Sequence, residues 1–293
     1  MALLSPYGEF LLESVRAQGA FARTLTVGRQ QNMVRSDVLH RFGIAPDVAR
    51  AVAEAPYADH FLLDACGAST VEAVDASTYE GADLVADLNR PVPTAWHGQY
   101  DVVIDGGTLE HIFFATTALA SLMQMVRPGG RLFLATPTNN HCGHGFYQFS
   151  PEFLYRALAP EHGYTVDRMV LFVHAYPSAE LTPRGTWYAV EDPATVRNRI
   201  TLQSGEAALL FVEASRIRAV EPFAIAPQQS DYAAAWHGAA DPVAPGEGGA
   251  RRDWRDLLRP AARWLSTVPV VRGNIERRWR SSLRNRRSFR PIK

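Results

Sequence analysis

The chain has 293 residues, 47% of them hydrophobic, with 30 basic and 30 acidic side chains, 21 Gly, 19 Pro and 2 Cys. That balance excludes a disordered polymer, a collagen-like repeat and a disulfide scaffold, and the length suffices for one large domain with an appendage or for two smaller ones. The zero net charge hides an asymmetry: residues 251–293 carry 13 Arg and Lys293 against Asp253, Asp256 and Glu276, a local +11, which leaves the rest of the chain at −11. Apolar runs such as Val102-Val103-Ile104 fall far short of the ~20 residues a membrane span needs. The start, with Glu9 and Glu13, lacks the basic-then-apolar pattern of a signal peptide, so a cytoplasmic protein is expected. Cys66 and Cys142 lie outside any CxxC motif and read as free thiols.

Apolar spacing of three and four predicts an opening helix over residues 6–21, followed by a β-branched strand at Thr24-Leu25-Thr26-Val27 that Gly28 stops. Helices are predicted from Met33 to about Phe42 and over Asp47–Ala65, ended by Gly43 and Gly67. Strands follow at Val71–Val74 and Leu84–Ala86, each running into an aspartate, Asp75 and Asp87. Tyr100–Asp105 is a β-rich run that meets Gly106-Gly107; Phe114–Val126 is an apolar helix, and Pro128-Gly129-Gly130 turns the chain into a strand at Arg131–Ala135. Ser150-Pro151-Glu152 has the order of an N-cap, a first-turn proline and a first-turn acid. Strands at Val166–Val173 and Ala207–Glu213 complete the set. Alternation of this kind predicts an α/β fold with a doubly wound, mostly parallel sheet, whose ligands sit beyond the carboxyl ends of the strands. Residues 1–226 form that domain, 227–250 read as a linker rich in Ala, Gly, Pro and Gln, and 251–293 as a basic, amphipathic, helical C-terminal tail.

Tyr100-Asp101-Val102-Val103-Ile104-Asp105, Gly106-Gly107-Thr108-Leu109-Glu110-His111, the apolar helix, and Arg127-Pro128-Gly129-Gly130 before Arg131–Pro137 together resemble the fourth and fifth strands of class I S-adenosylmethionine-dependent methyltransferases, a Rossmann-like family. The stretch from Gly143-His144-Gly145 to Phe149-Ser150-Pro151 resembles a subgroup met in polysaccharide and natural-product biosynthesis. The resemblance spans roughly Thr24 to Ile217. It implies S-adenosylmethionine as cofactor, a glycine-rich loop at Gly28, ribose recognition by Asp75, adenine recognition near Asp87, and room for the methionine part at Gly106 and Gly107. The loop departs from the family pattern: no GxGxG is present, and Gly28-Arg29-Gln30 or Leu62–Gly67 must serve, the former preferred because a helix follows it. Asp75 and Asp87 read equally as turn or cap residues.

Methyl transfer to a hydroxyl needs a base, and an imidazole titrating near neutrality suits that task. His144 between two glycines is the first candidate and His111 the second. Asn139, Asn140, His141, Tyr147 and Gln148 offer groups for a polyhydroxylated acceptor, so O-methylation of a sugar or glycosylated metabolite is expected. The alternative is a protein that keeps the fold as a binding or scaffold module or runs a different reaction on a sugar or nucleotide. His141 and His144 lack a third ligand, so no metal is expected. Arg197 and Arg199 read as solvated, with an anion clamp as the alternative. The tail, with Trp254, Leu257, Leu258, Ala261 and Leu265 at helical spacing, suits docking on the acidic body, then peripheral contact with an anionic membrane surface, then nucleic acid.

Overall fold

The computed structural model describes residues 2–174, 184–196, 199–233 and 281–293. In chain order the elements are β1 (Ala2–Leu4), α1 (Ser5–Gln18), β2 (Arg23–Val27), β3 (Gln31–Met33), α2 (Ser36–Arg41), α3 (Pro46–Glu54), β4 (Thr70–Asp75), β5 (Leu84–Val85), β6 (Tyr100–Asp105), α4 (Ala115–Met125), β7 (Val126–Asn139), α5 (Pro151–Ala157), β8 (Tyr164–His174), β9 (Gly185–Val190), α6 (Pro193–Val196), β10 (Ala207–Arg216) and β11 (Phe289–Pro291). The main sheet has the order β11-β9-β8-β10-β7-β6-β2-β4-β5. Its half from β5 to β7 is parallel, and antiparallel pairing begins where β10 lies between β7 and β8. The chain leaves β2 toward β4 and β5, then returns to place β6 on the other side of β2. That reversal opens a crevice at the carboxyl ends of β2 and β6.

Strand periodicity builds the two layers of core. Val102, Ile104, Phe133, Phe172 and Phe211 face α1 and α3, packing with Tyr7, Phe10, Leu11 and Val52. Val103, Leu132, Leu134, Leu171 and Val212 face α4 and α5, packing with Leu119, Leu122, Met123 and Leu154. The N-cap at Ser150 forms as its sequence predicts, its hydroxyl accepting from Phe153 N at 3.2 Å.

The predicted helix over Asp47–Ala65 is broken. Ala55 precedes Pro56 and is extended, with ψ 136°, because the proline ring disfavours helical backbone at the residue before it; a π-helical turn at Phe61–Ala65 follows. The helix expected from Met33 begins instead at Ser36, since Gln31–Met33 pairs with β1. Asn32 Nδ2 donates to Val52 O at 2.6 Å, and Ser5 Oγ to Met33 O at 2.7 Å.

Of the expected tail, residues 251–280 and the Trp254–Leu265 stripe lie outside the described residues. Residues 281–293 return to the body, where β11 pairs antiparallel with β9. Lys293 Nζ sits 4.1 Å over the Trp187 ring and pairs with Glu9 at 2.9 Å and with Glu13, so this basic end docks on acidic α1. Phe289 is 1% exposed, and Phe289→Ala should therefore cost about 3–5 kcal/mol in urea unfolding. A loss below ~0.5 kcal/mol would mean that β11 does not belong to the folded core. No described helix is long and apolar enough to cross a membrane.

Candidate active site

The crevice between β2 and β6 is built from turns. Gly28 ends β2 with φ +70°, a left-handed conformation that glycine adopts without strain, and its N–H donates to Val74 O at 2.7 Å. The competing stretch Leu62–Gly67 lies along the π-helical turn ahead of β4, away from this position. On β6, buried Asp105 ties down the next turn: its carboxylate accepts from Gly107 N at 3.2 Å, Thr108 N at 2.7 Å and Leu109 N at 3.1 Å. A Cβ on Gly106 would lie 2.4 Å from Gln30 Oε1, so the glycine lets the Gln30 side chain fill the gap between the two turns. Gln30 is 1% exposed. Its Nε2 donates to Val27 O at 2.6 Å, while its Oε1 is buried with no partner among the described residues. Arg29 turns away to pair with Asp59 at 2.8 Å and lies 4.2 Å over the Tyr57 ring.

At the neighbouring strand ends, Asp75 accepts from Ala76 N at 2.6 Å. Asp87 accepts from Asn89 N at 3.0 Å and Asn89 Nδ2 at 2.9 Å, an Asx turn that leaves Asn89 Oδ1 to accept from Phe114 N at 3.0 Å ahead of α4. The Asn89 bonds hold the Asp87 carboxyl below its ordinary range.

Beside this crevice a cavity of about 730 Å³ brings together Gly106, Gly107, Glu110, His111, His144 and His174. Glu110 is 2% exposed; its Oε1 lies 3.5 Å from His144 Nε2, and its Oε2 has no hydrogen-bond partner among the described residues. Burial, and after it the charge of Asp105, holds Glu110 well above the usual carboxylate range. Burial, and then His144, holds His111 below the usual imidazole range, which favours its neutral form. The His111 and His144 rings are 5.0 Å apart, and His141 bridges toward His174 with rings 5.5 Å apart.

His144 is presented by a pinned loop. Phe146 N donates to Glu110 O at 2.8 Å, and Phe149 N to Pro137 O at 2.8 Å. Gln148 Oε1 accepts from His141 N at 2.9 Å, Tyr147 OH donates to Phe113 O at 2.6 Å, Asn139 Nδ2 to Glu206 O at 3.2 Å, and Asn140 Nδ2 to Ser204 O at 2.7 Å. Of the five residues expected to meet an acceptor, Asn140 and His141 line the cavity, while Asn139, Tyr147 and Gln148 fasten the loop that shapes it. Both expected bases, His144 and His111, line it, as do Gly106 and Gly107; Gly28, Asp75 and Asp87 are at the strand ends alongside. Sequence reasoning passed over Glu110, Gln30 and His174. Glu110 stands in the Leu-Glu-His run, but its burial against Asp105 has no sequence signal. Arg197 lies outside the described residues, and Arg199 pairs with Asp231 at 2.6 Å. A second cavity of about 780 Å³ lies between α4, α5 and residues 221–229; there Arg156 is paired with Asp192 at 2.5 Å and Glu152 with Ser230 at 2.7 Å.

No protein-family model matches this chain, and neither does any curated protein. Three solved structures similar to it are 1,6-didemethyltoxoflavin-N1-methyltransferase of Burkholderia thailandensis, crystallised with 1,6-didemethyltoxoflavin and S-adenosylhomocysteine (14% identity, 72% of this chain and 77% of that one, TM-score 0.39); the N-methyltransferase NodS of Bradyrhizobium japonicum, crystallised with S-adenosylhomocysteine (12%, 72% and 86%, 0.39); and a methyltransferase of Thermotoga maritima described as a possible histamine N-methyltransferase (13%, 73% and 89%, 0.39).

Proposed function

We propose that the chain is an S-adenosylmethionine-dependent methyltransferase acting on an oxygen of a sugar or glycosylated metabolite. The observation that carries this reading is the continuity of one cavity from the Gly106-Gly107 turn at the β2–β6 crevice to the Glu110, His111 and His144 cluster. The fit to the cofactor rests on the strand-end carboxylates and on Gly106 and Gly107, which line the cavity. Gln30 Oε1 has no partner among the described residues but is packed against Gly106, so it would accept from an ammonium group only with its side chain turned toward the cavity. Asp75 at the end of β4 would offer its carboxylate to a ribose diol, Asp87 would meet the adenine, and the Gly28 and Gly106-Gly107 turns would take the methionine part. When bound, the cofactor supplies a sulfonium methyl, which is lost to a nucleophile by in-line displacement. This chain's part would be alignment and deprotonation: His144, which lines the cavity, would take the proton of an acceptor hydroxyl, with His111, whose neutral form burial favours, as the adjoining ring.

Incubation of the purified protein with methyl-labelled cofactor and a panel of sugars, sugar nucleotides and glycosides should give a base-stable methyl ether. In His144→Ala, kcat should fall about 10²–10⁴-fold. A second reading, a binding module that has lost methyl transfer, is favoured by Arg29 and Gln30 standing where glycines are expected. Saturable cofactor binding without label transfer to any hydroxyl acceptor would replace the first reading by the second.

A further inference from the structure

The cluster lining the cavity also has the composition of a metal centre. One ligand atom each from Glu110, His111 and His144 lies within 4.8 Å of the others. The Glu110 carboxylate is buried, with Oε2 unpartnered among the described residues and Oε1 3.5 Å from His144 Nε2. A tetrahedral ion with bonds of ~2.0–2.1 Å holds its ligand atoms about 3.4 Å apart. The Glu110–His144 pair already has that separation, and His111, an exposed side chain, closes the set with a shift on the order of 1 Å, a small rotamer adjustment. The backbone beneath is fixed from two directions. Asp105 anchors the turn that carries Glu110 and His111, and the Phe146 N to Glu110 O bond of 2.8 Å joins that turn to the loop carrying His144.

We infer that Glu110, His111 and His144 bind a first-row divalent transition cation, with Zn²⁺ as the reference ion, in a three-ligand site whose remaining position opens into the cavity. Two imidazoles with one carboxylate suit such an ion, whereas Mg²⁺ and Ca²⁺ prefer an all-oxygen shell. The sequence shows His141 and His144 without a third ligand; the fold brings in Glu110 and His111 from the turn after β6 and leaves His141 outside the set. A three-ligand site with an open position is the arrangement of a catalytic centre, not a structural one. The site stands independently of methyl transfer. Where both hold, the cation changes one part of the reading above: an acceptor hydroxyl bound to the ion loses its proton to bulk water under the ion's charge, and His144 acts as a ligand in place of a base.

The test is titration of chelator-treated full-length protein, without cofactor or acceptor, with Zn²⁺ by calorimetry and with Co²⁺ by visible absorption. One equivalent should bind, with Co²⁺ bands of a low-coordinate nitrogen and oxygen site. His144→Ala and His111→Ala change exposed side chains, so circular dichroism should show both folded, and each should weaken Zn²⁺ binding at least ~10-fold, since even outer-sphere losses cost that much. Cys142→Ser and His60→Ala should bind as the parent protein does. Absence of Zn²⁺ binding by folded protein, parent-like affinity in His144→Ala, or a loss in Cys142→Ser instead would overturn the assignment. Because no cofactor is present, that failure would leave the methyl-transfer reading intact, and failure to bind cofactor would leave the metal site intact.

Discussion

Gly145→Ala should cost this protein both stability and activity. Gly145 has φ +75°, and a Cβ there would lie 2.7 Å from Glu110 O, 3.1 Å from Glu110 C and 3.2 Å from Glu110 Cγ. The obstacle is mostly backbone, so no side-chain rotation relieves it. Relief requires the loop to lift, which breaks the Phe146 N to Glu110 O bond and draws neighbouring His144 away from Glu110. Left-handed backbone at a non-glycine costs about 1–3 kcal/mol and overpacking a similar amount. A total loss of about 2–4 kcal/mol should lower Tm by about 3–7 °C in a chain of this size, and displacing His144 by ~1 Å should lower methyl transfer about 100-fold. Gly143→Ala is the internal control, since a Cβ there meets no described atom within 4 Å; its effect should stay within ~0.5 kcal/mol. Equal behaviour of the two variants in thermal melts and rate assays would refute the loop's role in placing His144.

Asp75→Ala carries the second large effect, on cofactor affinity. Asp75 ends β4 one strand from the crevice, and its Oδ1 is engaged by Ala76 N at 2.6 Å. Hydrogen bonds to a charged acceptor contribute about 1.5–3 kcal/mol each, so under the proposed ribose role the loss of this carboxylate should weaken S-adenosylhomocysteine binding about 100-fold. The variant should keep the parent's Tm, because Asp75 is only partly buried and forms no ion pair among the described residues. Parent-like affinity would remove Asp75 from the ribose site.

Much of the scaffold was legible because its signals are local. Tyr100–Asp105 ends in an aspartate and two glycines, and its valines and isoleucine alternate between the two core layers. The Ser-Pro-Glu start of α5 is a capping motif complete within three residues. The elements that escaped depend on distant partners. β11 offers one buried aromatic among arginines, and it is a strand only because β9 provides an edge. β3 exists because β1 and the Asn32 bonds hold it. The same applies to the site. Gln30 gained significance only when Gly106, far along the chain, proved to lie against its amide, and Glu110 when burial beside Asp105 left one of its oxygens without a partner among the described residues. His174 is an ordinary strand-end residue until the fold brings His141 to it. Asn139, Tyr147 and Gln148 show the reverse: residue types suited to sugars prove to be bonded to the loop's own framework.

The most direct measurement is calorimetric titration of the full-length, cofactor-free protein with S-adenosylmethionine and S-adenosylhomocysteine. Saturable binding of both at one site per chain is expected, weakened in Asp75→Ala. Absence of binding by well-folded protein would contradict it and leave the crevice to a different ligand.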